Sequence, residues 1–420
     1  MPIRIQHRPQ FLAAVALLIV PAATFARNPE SLSGSLNIEQ GVRVLRLDGD
    51  ARQRGYAHGY LLAEEIRQMV TTLLVSPQVW GDVQRYELGV RRQAIPQFTF
   101  TAAEQRELEG MLEGLSAKLG ADGMRIATVG RSIDLVDLKA LNVFADLQNG
   151  GCTSFAAWGP ATPDGGMIVG RNLDFDRLPG LGESQLLVVR PAAGDKLYGW
   201  VSVNWPGQLG GYTAMNDAGV FAAMHDVMRP TNLVGGPFVP RALAIRRIME
   251  TVDATDTVTK TERLLQGARA FCGNNFMVAA PFHGQATPAA VFEYDADTSR
   301  SAGVTVRTPS ARDHRLPEHT LACTNHYRAR GQSFPCKRYA SVRRVLKENA
   351  SGGLDTEQAR AVQQSAAVHD TLHTVIAQPN QRTFWVSFCT PEQDATGQPP
   401  AKFLIDALLA SRQKTNSTNE

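Results

Sequence analysis

The sequence lacks the residue spacings that usually hold metals or dinucleotides. Its nine histidines form no His-Glu-x-x-His pair, and its five cysteines form no Cys-x-x-Cys pair. These absences argue against the common zinc and dithiol motifs. Glycine-rich pieces such as "GQLGGY" lack the strand–GxGxxG–helix context of a dinucleotide site. We therefore expect no metal and no other cofactor.

An excess of charge of one sign is also missing. The chain has 43 Lys and Arg against 40 Asp and Glu, a net charge of +3. Proteins that bind nucleic acid usually carry a basic patch or stripe, and this composition gives no reason to expect one. We therefore expect no nucleic-acid partner.

Long apolar runs are scarce, and the one at the start of the chain predicts export. "FLAAVALLIV" follows Arg4 and Arg8 and precedes the small-residue stretch "PAATFA". The run is shorter than the ~20 residues of a membrane span, and the arrangement is typical of a secretory signal peptide. We expect cleavage after residues 1–26, a periplasmic or secreted protein, and no stable membrane anchor. An uncleaved anchor is the alternative.

The cysteines of an exported chain can form disulfides, but an odd number leaves at least one thiol free. Cys323 and Cys336 could pair across a short loop, and the sequence alone does not decide this. Cys272 and Cys389 lie in apolar runs, where a cysteine is usually a small buried hydrophobe.

Mostly helical patterns precede Cys152. "GYLLAEEIRQMVTTLL" repeats apolar residues at helical spacing. A second helix is predicted to begin at a capping box of Thr101 and Glu104 and to end at Gly120. "SIDLVDLKALNVFADL" predicts a third. The apolar stripe of the first pattern consists of Leu62, Ile66, Met69, Val70 and Leu73. We interpret residues 27–151 as a mostly helical pro-segment.

Short β-type runs dominate after Cys152, in blocks that are separated by helical patterns. Runs such as "CTSFAAWG", "GMIVGRNLDF" and "SQLLVVRP" come first, and "HTVIAQP" and "TFWVSFCTP" come last. This grouping favours an α+β fold of layered sheets covered by helices over a strictly alternating one. We assign residues 152–410 to the catalytic body and expect the polar tail 411–420 to be disordered.

The stretch "GGCTSF" places Cys152 after two glycines. A thiol becomes a nucleophile when a base takes its proton. The base could be an imidazole, for which His326 and His225 are candidates. It could also be the α-amino group of Cys152 itself, with a pKa of ~7.7–8.0, if the chain is cut after Gly151. Glycine leaves the carbonyl before the thiol accessible, although "NGG" can also be a simple turn.

The following run, "MIVGRNLDFD", carries Arg171 and Asp174. A guanidinium beside a thiol lowers the pKa of the thiol, and a carboxylate can orient an ammonium group. The two residues are three positions apart, so an ideal strand would place them on opposite faces. A bulge or the end of the strand must therefore intervene if both are to reach Cys152. The alternative is an ordinary surface ion pair.

The stretch "GCTSFAAWGPATPDGGMIVGRNLDFD" resembles the start of the mature chain in N-terminal-nucleophile hydrolases of the acyl-coenzyme A:6-aminopenicillanic acid acyltransferase family. The choloylglycine hydrolases and acid ceramidase share its broader pattern. "GDARQRGYAHGYLLAEEI", "AMNDAGV", "CTNHY" and "LHTVIAQPNQRTFWVSFC" resemble further blocks of the family in order. The resemblance implies a four-layer αββα fold. One departure is Asp217, where the family usually has Glu.

The resemblance also implies a nucleophile and its partners. Cys152 would attack, and its freed α-amino group would be the base after self-cleavage at Gly151–Cys152. Arg171 would hold the thiolate or the substrate carbonyl, and Asp174 would orient the ammonium. The two chains would stay associated.

Three asparagines and one arginine complete the implied site. An oxyanion hole needs donors about 3 Å from the developing charge. Within "CGNNF" we prefer Asn275 over Asn274, which would contact substrate, and Asn216 is a second candidate. Arg338 is expected to bind substrate, or else to be a solvated helix residue.

The expected reaction forms an acyl-thioester on Cys152 from a small linear N-acyl amide with an apolar acyl group. Water would complete hydrolysis, and an amine would complete acyl transfer. Two alternatives stay open at this point: an uncleaved hydrolase that pairs Cys152 with His326, and an exported binding protein without catalysis.

Overall fold

The computed structural model describes seven stretches of the chain: residues 32–193, 197–227, 235–296, 303–309, 316–331, 335–350 and 353–410. The predicted signal peptide and the predicted tail lie outside these residues. No helix in these stretches is long and apolar enough to cross a membrane.

The larger sheet has nine strands in the described part of the chain, and neighbours are antiparallel except for one parallel pair, β2 and β7. In spatial order the strands are β1 (Gly34–Glu39), β2 (Val42–Leu47), β7 (Leu186–Arg190), β8 (Trp200–Asn204), β9 (Thr213–Asn216), β10 (Phe221–Val227), β11 (Gly273–Ala279), β12 (Ala289–Tyr294) and β13 (Val304–Arg307).

The smaller sheet has six antiparallel strands within the described residues. In spatial order they are β14 (Thr320–Cys323), β5 (Gly151–Trp158), β6 (Met167–Asp174), β15 (Thr371–Gln378), β16 (Thr383–Phe388) and β17 (Ala401–Leu404). A separate short hairpin joins β3 (Arg125–Ile126) to β4 (Arg131–Ser132).

Helices lie before, between and after the strands. They are α1 (Ala51–Leu61), α2 (Ala63–Met69), α3 (Pro77–Trp80), α4 (Ala102–Gly123), α5 (Leu135–Leu147), α6 (Arg241–Thr251), α7 (Thr257–Gln266), α8 (Lys337–Glu348), α9 (Thr356–Ser365) and α10 (Ile405–Leu409). Two segments have π-helical hydrogen bonding, Val70–Leu74 and Arg85–Ala94.

The two sheets pack face to face through a buried apolar layer that includes Val189 and Phe221 from the larger sheet and Trp158 and Phe384 from the smaller one. Helices α8 and α9 cover the outer face of the smaller sheet, and helices from α1 to α7 pack on the larger one. Because each sheet buries both faces, the strands read as nearly continuous apolar runs. The four-layer αββα fold is confirmed.

The region before Cys152 is mostly helical, as expected, but it begins with two strands that the sequence did not predict. β2 pairs in parallel with β7, so this region supplies one edge of the larger sheet. The capping box of Thr101 and Glu104 is present. Gly120 has a φ of +67°, a break in the helix where its end was predicted.

Helices α1 and α4 approach each other closely because glycines meet at their crossing. A Cβ at Gly55 would lie 1.9 Å from the carbonyl oxygen of Glu107, and a Cβ at Gly114 would lie 2.2 Å from that of Tyr56. Any side chain at either position would collide with backbone. The glycines therefore allow direct contact between the two helix backbones.

A buried ionic cluster, here called the Glu107 cluster (Glu107, Arg190 and Arg246), joins α4 to the later part of the chain. Arg190 on β7 donates to Oε1 of Glu107 at 2.6 Å, and Arg246 on α6 donates to Oε2 at 2.9 Å. Burial alone would raise the pKa of Glu107, but the arginines outweigh it and hold the pKa at about 2. Glu107 is therefore ionised at neutral pH.

Candidate active site

Cys152 is the second residue of β5 and is 4 % exposed. Cross-strand partners share a face of a sheet, and Cys152 pairs with Leu173 while Ser154 pairs with Arg171. Cys152 and Arg171 therefore lie on the face that is turned toward the larger sheet. The thiol lines a mainly apolar cavity with about 510 Å³ of empty space, which includes the part open to solvent, and its other walls include Phe144, Trp205 and Tyr212.

The guanidinium of Arg171 is the hydrogen-bonding partner of the thiol. Its Nη2 lies 3.2 Å from Sγ of Cys152 and donates to the carbonyl oxygen of Met224 on β10 at 2.9 Å. Burial raises the pKa of Cys152 to about 11, although the charge of Arg171 acts in the opposite direction. The thiol of the continuous chain is therefore protonated at neutral pH and needs a base before it can attack.

The backbone of Cys152 lies in a separate polar environment. Its N–H donates to Oδ1 of Asn325 at 2.9 Å, and its carbonyl oxygen accepts from Arg338 at 2.7 Å. Arg338, at the start of α8, also donates to Oδ1 of Asn325 at 2.6 Å and to Oδ2 of Asp174 at 3.0 Å. One arginine thus holds the backbone, the amide and the carboxylate together.

Asp174 reaches this cluster because it is the last residue of β6. It pairs with Gly151 across the strands and with Thr371 on β15, where the register shifts. Thr371 donates to Oδ1 of Asp174 at 2.7 Å. Arg171 and Asp174 do lie on opposite faces: Arg171 meets the thiol, whereas Asp174 meets the arginine that holds the backbone. Burial raises the pKa of Asp174, and Arg338 opposes that rise.

The two glycines before Cys152 are also held. The N–H of Gly150 donates to the carboxylate of Asp226, which is ion-paired with Arg241. Asn325 donates to the carbonyl oxygens of Gly150 at 3.3 Å and of Asp226 at 2.6 Å. A Cβ at Gly150 would lie 2.9 Å from the carbonyl oxygen of Asp174. The backbone before the thiol is therefore closely packed and fixed in place.

The asparagines proposed from the sequence lie elsewhere. Asn275 donates to the carbonyl oxygens of Thr324 and His326 at 2.8 and 3.0 Å, so its amide protons are engaged. Asn274 accepts from Arg241 at 2.6 Å and lies behind Asp226. Asn216 donates to the ends of α6 and accepts from Val220, so it fixes a turn. None of the three contacts Cys152 in the geometry that we observe.

The candidate histidines have other partners. His326 hydrogen-bonds the thiol of Cys336; burial raises the pKa of that thiol, but His326 and neighbouring donors outweigh burial and lower it to about 6. His225 contacts Ser154 Oγ at 2.7 Å and the carbonyl oxygen of Asn275 at 3.1 Å. The structure thus joins His326 to Cys336, whereas the uncleaved alternative paired it with Cys152.

Sequence reasoning missed Asn325 and Asp226, which hold the residues around Gly150–Cys152. Both residues lie in stretches that the sequence analysis considered. Asn325 lies in "CTNHY", one of the blocks that carried the resemblance, and Asp226 follows His225 in "AMHD". Nothing local distinguishes them from other polar residues, because their role arises where the ends of separate strands meet.

All five cysteines are free in the structure, so the suggested bridge between Cys323 and Cys336 is not formed. Among the described residues, no group of His, Cys, Asp and Glu could hold a metal ion.

The model of the family described as acyl-coenzyme A:6-aminopenicillanic acid acyl-transferase matches residues 161–393, more than half of the chain. The chain belongs to this family. The matched range contains Arg171, Asp174, Asn325 and Arg338 but begins after Cys152. The matched range therefore includes the residues that contact Cys152, whereas the role of Cys152 itself rests on the geometry of the site.

Two curated relatives match part of this chain. Protein dcd1B of Dictyostelium discoideum is 24 % identical over 185 residues, which are 41 % of this chain and 36 % of that protein. An uncharacterised protein of Archaeoglobus fulgidus is 24 % identical over 257 residues, which are 56 % of this chain and 40 % of that one. The chain thus matches well under half the length of either relative.

Three of the solved structures that align with part of this chain are as follows. An N-acylethanolamine-hydrolysing acid amidase orthologue of Caenorhabditis elegans has a TM-score of 0.41 at 17 % identity, covering 60 % of this chain and 99 % of that one. A conjugated bile acid hydrolase of Clostridium perfringens gives 0.37 at 11 %, covering 60 % and 97 %. Penicillin V acylase of Agrobacterium tumefaciens gives 0.40 at 12 %, covering 60 % and 84 %.

Proposed function

We propose that this protein is an exported, self-cleaving N-terminal-nucleophile hydrolase of linear N-acyl amides. One observation carries the proposal: Cys152 places its thiol against Arg171 in an apolar cavity and its backbone nitrogen against Asn325 in a polar cluster. A nucleophile whose base is its own amino group needs both environments on one residue.

Self-cleavage would begin with attack of the Cys152 sulfur on the carbonyl carbon of Gly151. The S–C bond forms, the C–N bond breaks, and the thiol proton ends on the nitrogen that becomes the α-amino group. Water then hydrolyses the thioester, which restores the thiol and leaves a carboxylate on Gly151. Asp226 and Asn325 hold Gly150 so that this peptide bond stays beside the sulfur.

In turnover the freed amino group takes the thiol proton, since its ordinary pKa of ~7.7–8.0 suits a base at neutral pH. The thiolate attacks the substrate amide, the leaving amine takes up the proton, and an acyl-thioester remains on Cys152. Asn325 would then accept from the new amino group. Asp174 would orient that group through Arg338, and Arg338 would keep the strand end in place.

The cavity favours an apolar acyl group, because most of its walls are apolar side chains such as Leu173, Trp205 and Met224. Water completes hydrolysis, and a suitable amine would complete acyl transfer. Outside the cytoplasm acyl-coenzyme A is expected to be scarce, so we favour hydrolysis.

The two chains formed by cleavage are proposed to stay associated. The shorter one would keep β2 in the larger sheet and Glu107 between two buried arginines. It would also keep Phe144 and Leu73 in the cavity wall.

The test is the mass of the purified protein with and without the nucleophile. The wild type should yield a fragment that begins at Cys152 and should release amine from a panel of N-acyl amino acids, bile-salt conjugates and penicillins. Cys152→Ala should give one uncut chain without turnover, and Cys389→Ala serves as the control cysteine. Two fragments from Cys152→Ala would show that another protease makes the cut, and turnover by an uncut wild type would favour the Cys-His alternative.

A further inference from the structure

Three apolar side chains separate the active-site cavity from a second, outer groove. Met69, Leu73 and Leu181, here called the partition, line the cavity of about 510 Å³ on one side and a groove of about 220 Å³ on the other. The partition residues are only 4 %, 1 % and 5 % exposed, so they fill the space between the two volumes. Removing one of these side chains would join the groove to the cavity that holds the thiol.

The partition is held from both sides. Met69 ends α2, and Leu73 lies in the π-helical segment Val70–Leu74. Such π-helical turns are frequent at functional sites, because the extra residue redirects a side chain. Leu181 lies in the connection from β6 to β7, where its carbonyl oxygen accepts from Trp205 at 2.8 Å and from Ser184 at 3.2 Å. The partition is therefore a fixed part of the wall.

The two sides of the partition differ in chemistry. The cavity side is mainly apolar, whereas the groove also presents polar side chains, which include Glu65, Gln68, Thr72 and Ser184. Glu65 is ion-paired with Arg43 at 2.5 Å. An anionic end group would meet the carboxylate of Glu65, whereas an uncharged hydroxyl could exchange hydrogen bonds with the amide and hydroxyl groups.

We propose that the partition sets the maximum length of the acyl group, and that the groove beyond it accepts a hydroxyl-bearing acyl end once the partition is opened. This inference rests on the proposed hydrolysis of N-acyl amides. The inference follows because the same three side chains form a wall of the cavity beside Cys152 and a wall of the polar groove. The wild type should then prefer acyl chains that end at the partition.

The experiment compares kcat/KM over a series of N-acyl amides of increasing chain length, each with and without a terminal hydroxyl. One methylene in an apolar pocket changes selectivity by roughly 10- to 200-fold. Leu181→Ala should therefore raise the long-to-short ratio by at least about tenfold, with a larger gain for the hydroxylated series. Leu372→Ala is the matched control, because Leu372 lines the cavity without lining the groove.

Two further variants test the inference even if Leu181→Ala misfolds. Leu73→Ala should shift the dependence of kcat/KM on chain length in the same direction. Thr72→Val, combined with Leu181→Ala or with Leu73→Ala, should remove only the extra gain of the hydroxylated series. Equal shifts in Leu181→Ala and Leu372→Ala, or no shift in either partition variant, would overturn the inference. Lack of turnover of every chain length by the cleaved wild type would instead count against the proposed function.

Discussion

Two buried charged clusters join the region before Cys152 to the body, and they differ in what they leave unpaired. In the Glu107 cluster, both carboxylate oxygens are paired with arginines. At the other cluster, Arg171 contacts a neutral thiol that faces a cavity, while Arg338, Asp174 and Asp226 hold the backbone around Cys152. Both clusters are buried and charged, but only the second has a reactive atom with space for a substrate.

The pKa shifts of the two clusters have opposite signs. Arginines lower the pKa of Glu107 to about 2, whereas burial raises the pKa of Cys152 to about 11. A perturbed pKa therefore identifies a candidate site only together with a cavity and a nucleophile. On this comparison we propose a structural role for the Glu107 cluster and a catalytic role for the Cys152 cluster.

The largest expected effect tests the catalytic side of this comparison. Arg338→Met removes the donor to the Cys152 carbonyl, Asp174 and Asn325, so self-cleavage should slow at least about 100-fold, as for the loss of one preorganised donor. Arg344→Met is the control on the same helix, since Arg344 is exposed and pairs with Glu348. Time-resolved intact mass gives the cleavage rates, and equal rates for both variants would remove Arg338 from the site.

A smaller effect tests the structural side. Glu107→Ala removes the carboxylate that Arg190 and Arg246 share and leaves Arg246 with Glu250 alone, which should cost about 3–5 kcal/mol of unfolding free energy. The folded fraction should still cleave itself. Urea unfolding in the Cys152→Ala background measures the loss on a single chain, with the exposed Glu109→Ala as control. If Glu107→Ala had normal stability but failed to cleave itself, the Glu107 cluster would be needed for cleavage and not for stability.

The pH dependence of the unfolding free energy is a further test of the structural role of Glu107. The pKa of Glu107 is lowered from 4.5 to about 2 in the fold. Its contribution to stability is therefore complete above pH 4.5 and is lost as the pH falls toward 2, by up to about 3 kcal/mol. Unfolding free energies of Cys152→Ala should decline over this range, and Glu107→Gln should flatten the decline. A parallel decline in both proteins would assign the acid sensitivity to other carboxyls.

Much of this organisation could be predicted from the sequence. The runs after Cys152 fall into clear blocks of strand and helix patterns, and Cys152, Arg171 and Asp174 lie in a stretch with a recognisable resemblance, which in turn implied Arg338. The structure brings these four residues together. The strands that were missed are β1, β2, β3, β4, β14 and β17. They are short and form edges or edge pairs of the two sheets or the separate hairpin, so their local patterns are weak.

The asparagines show where sequence reasoning stops. Asn275 and Asn274 stand out as a pair in "CGNNF", yet backbone carbonyls and Arg241 engage them. Asn325 has no such local signal and still binds both sides of the Gly151–Cys152 bond. Which amide faces the nucleophile depends on how β14 and α8 converge on the end of β5, and a local pattern does not contain that information.

The parallel pairing of β2 with β7 has a practical consequence. If residues 152–410 were produced alone, β7 would become an open edge with unpaired N–H and C=O groups along an apolar strand. Such edges template association with other chains. Production of the protein should therefore start from a chain that includes β2, because this strand covers the edge of β7 and protects it from aggregation.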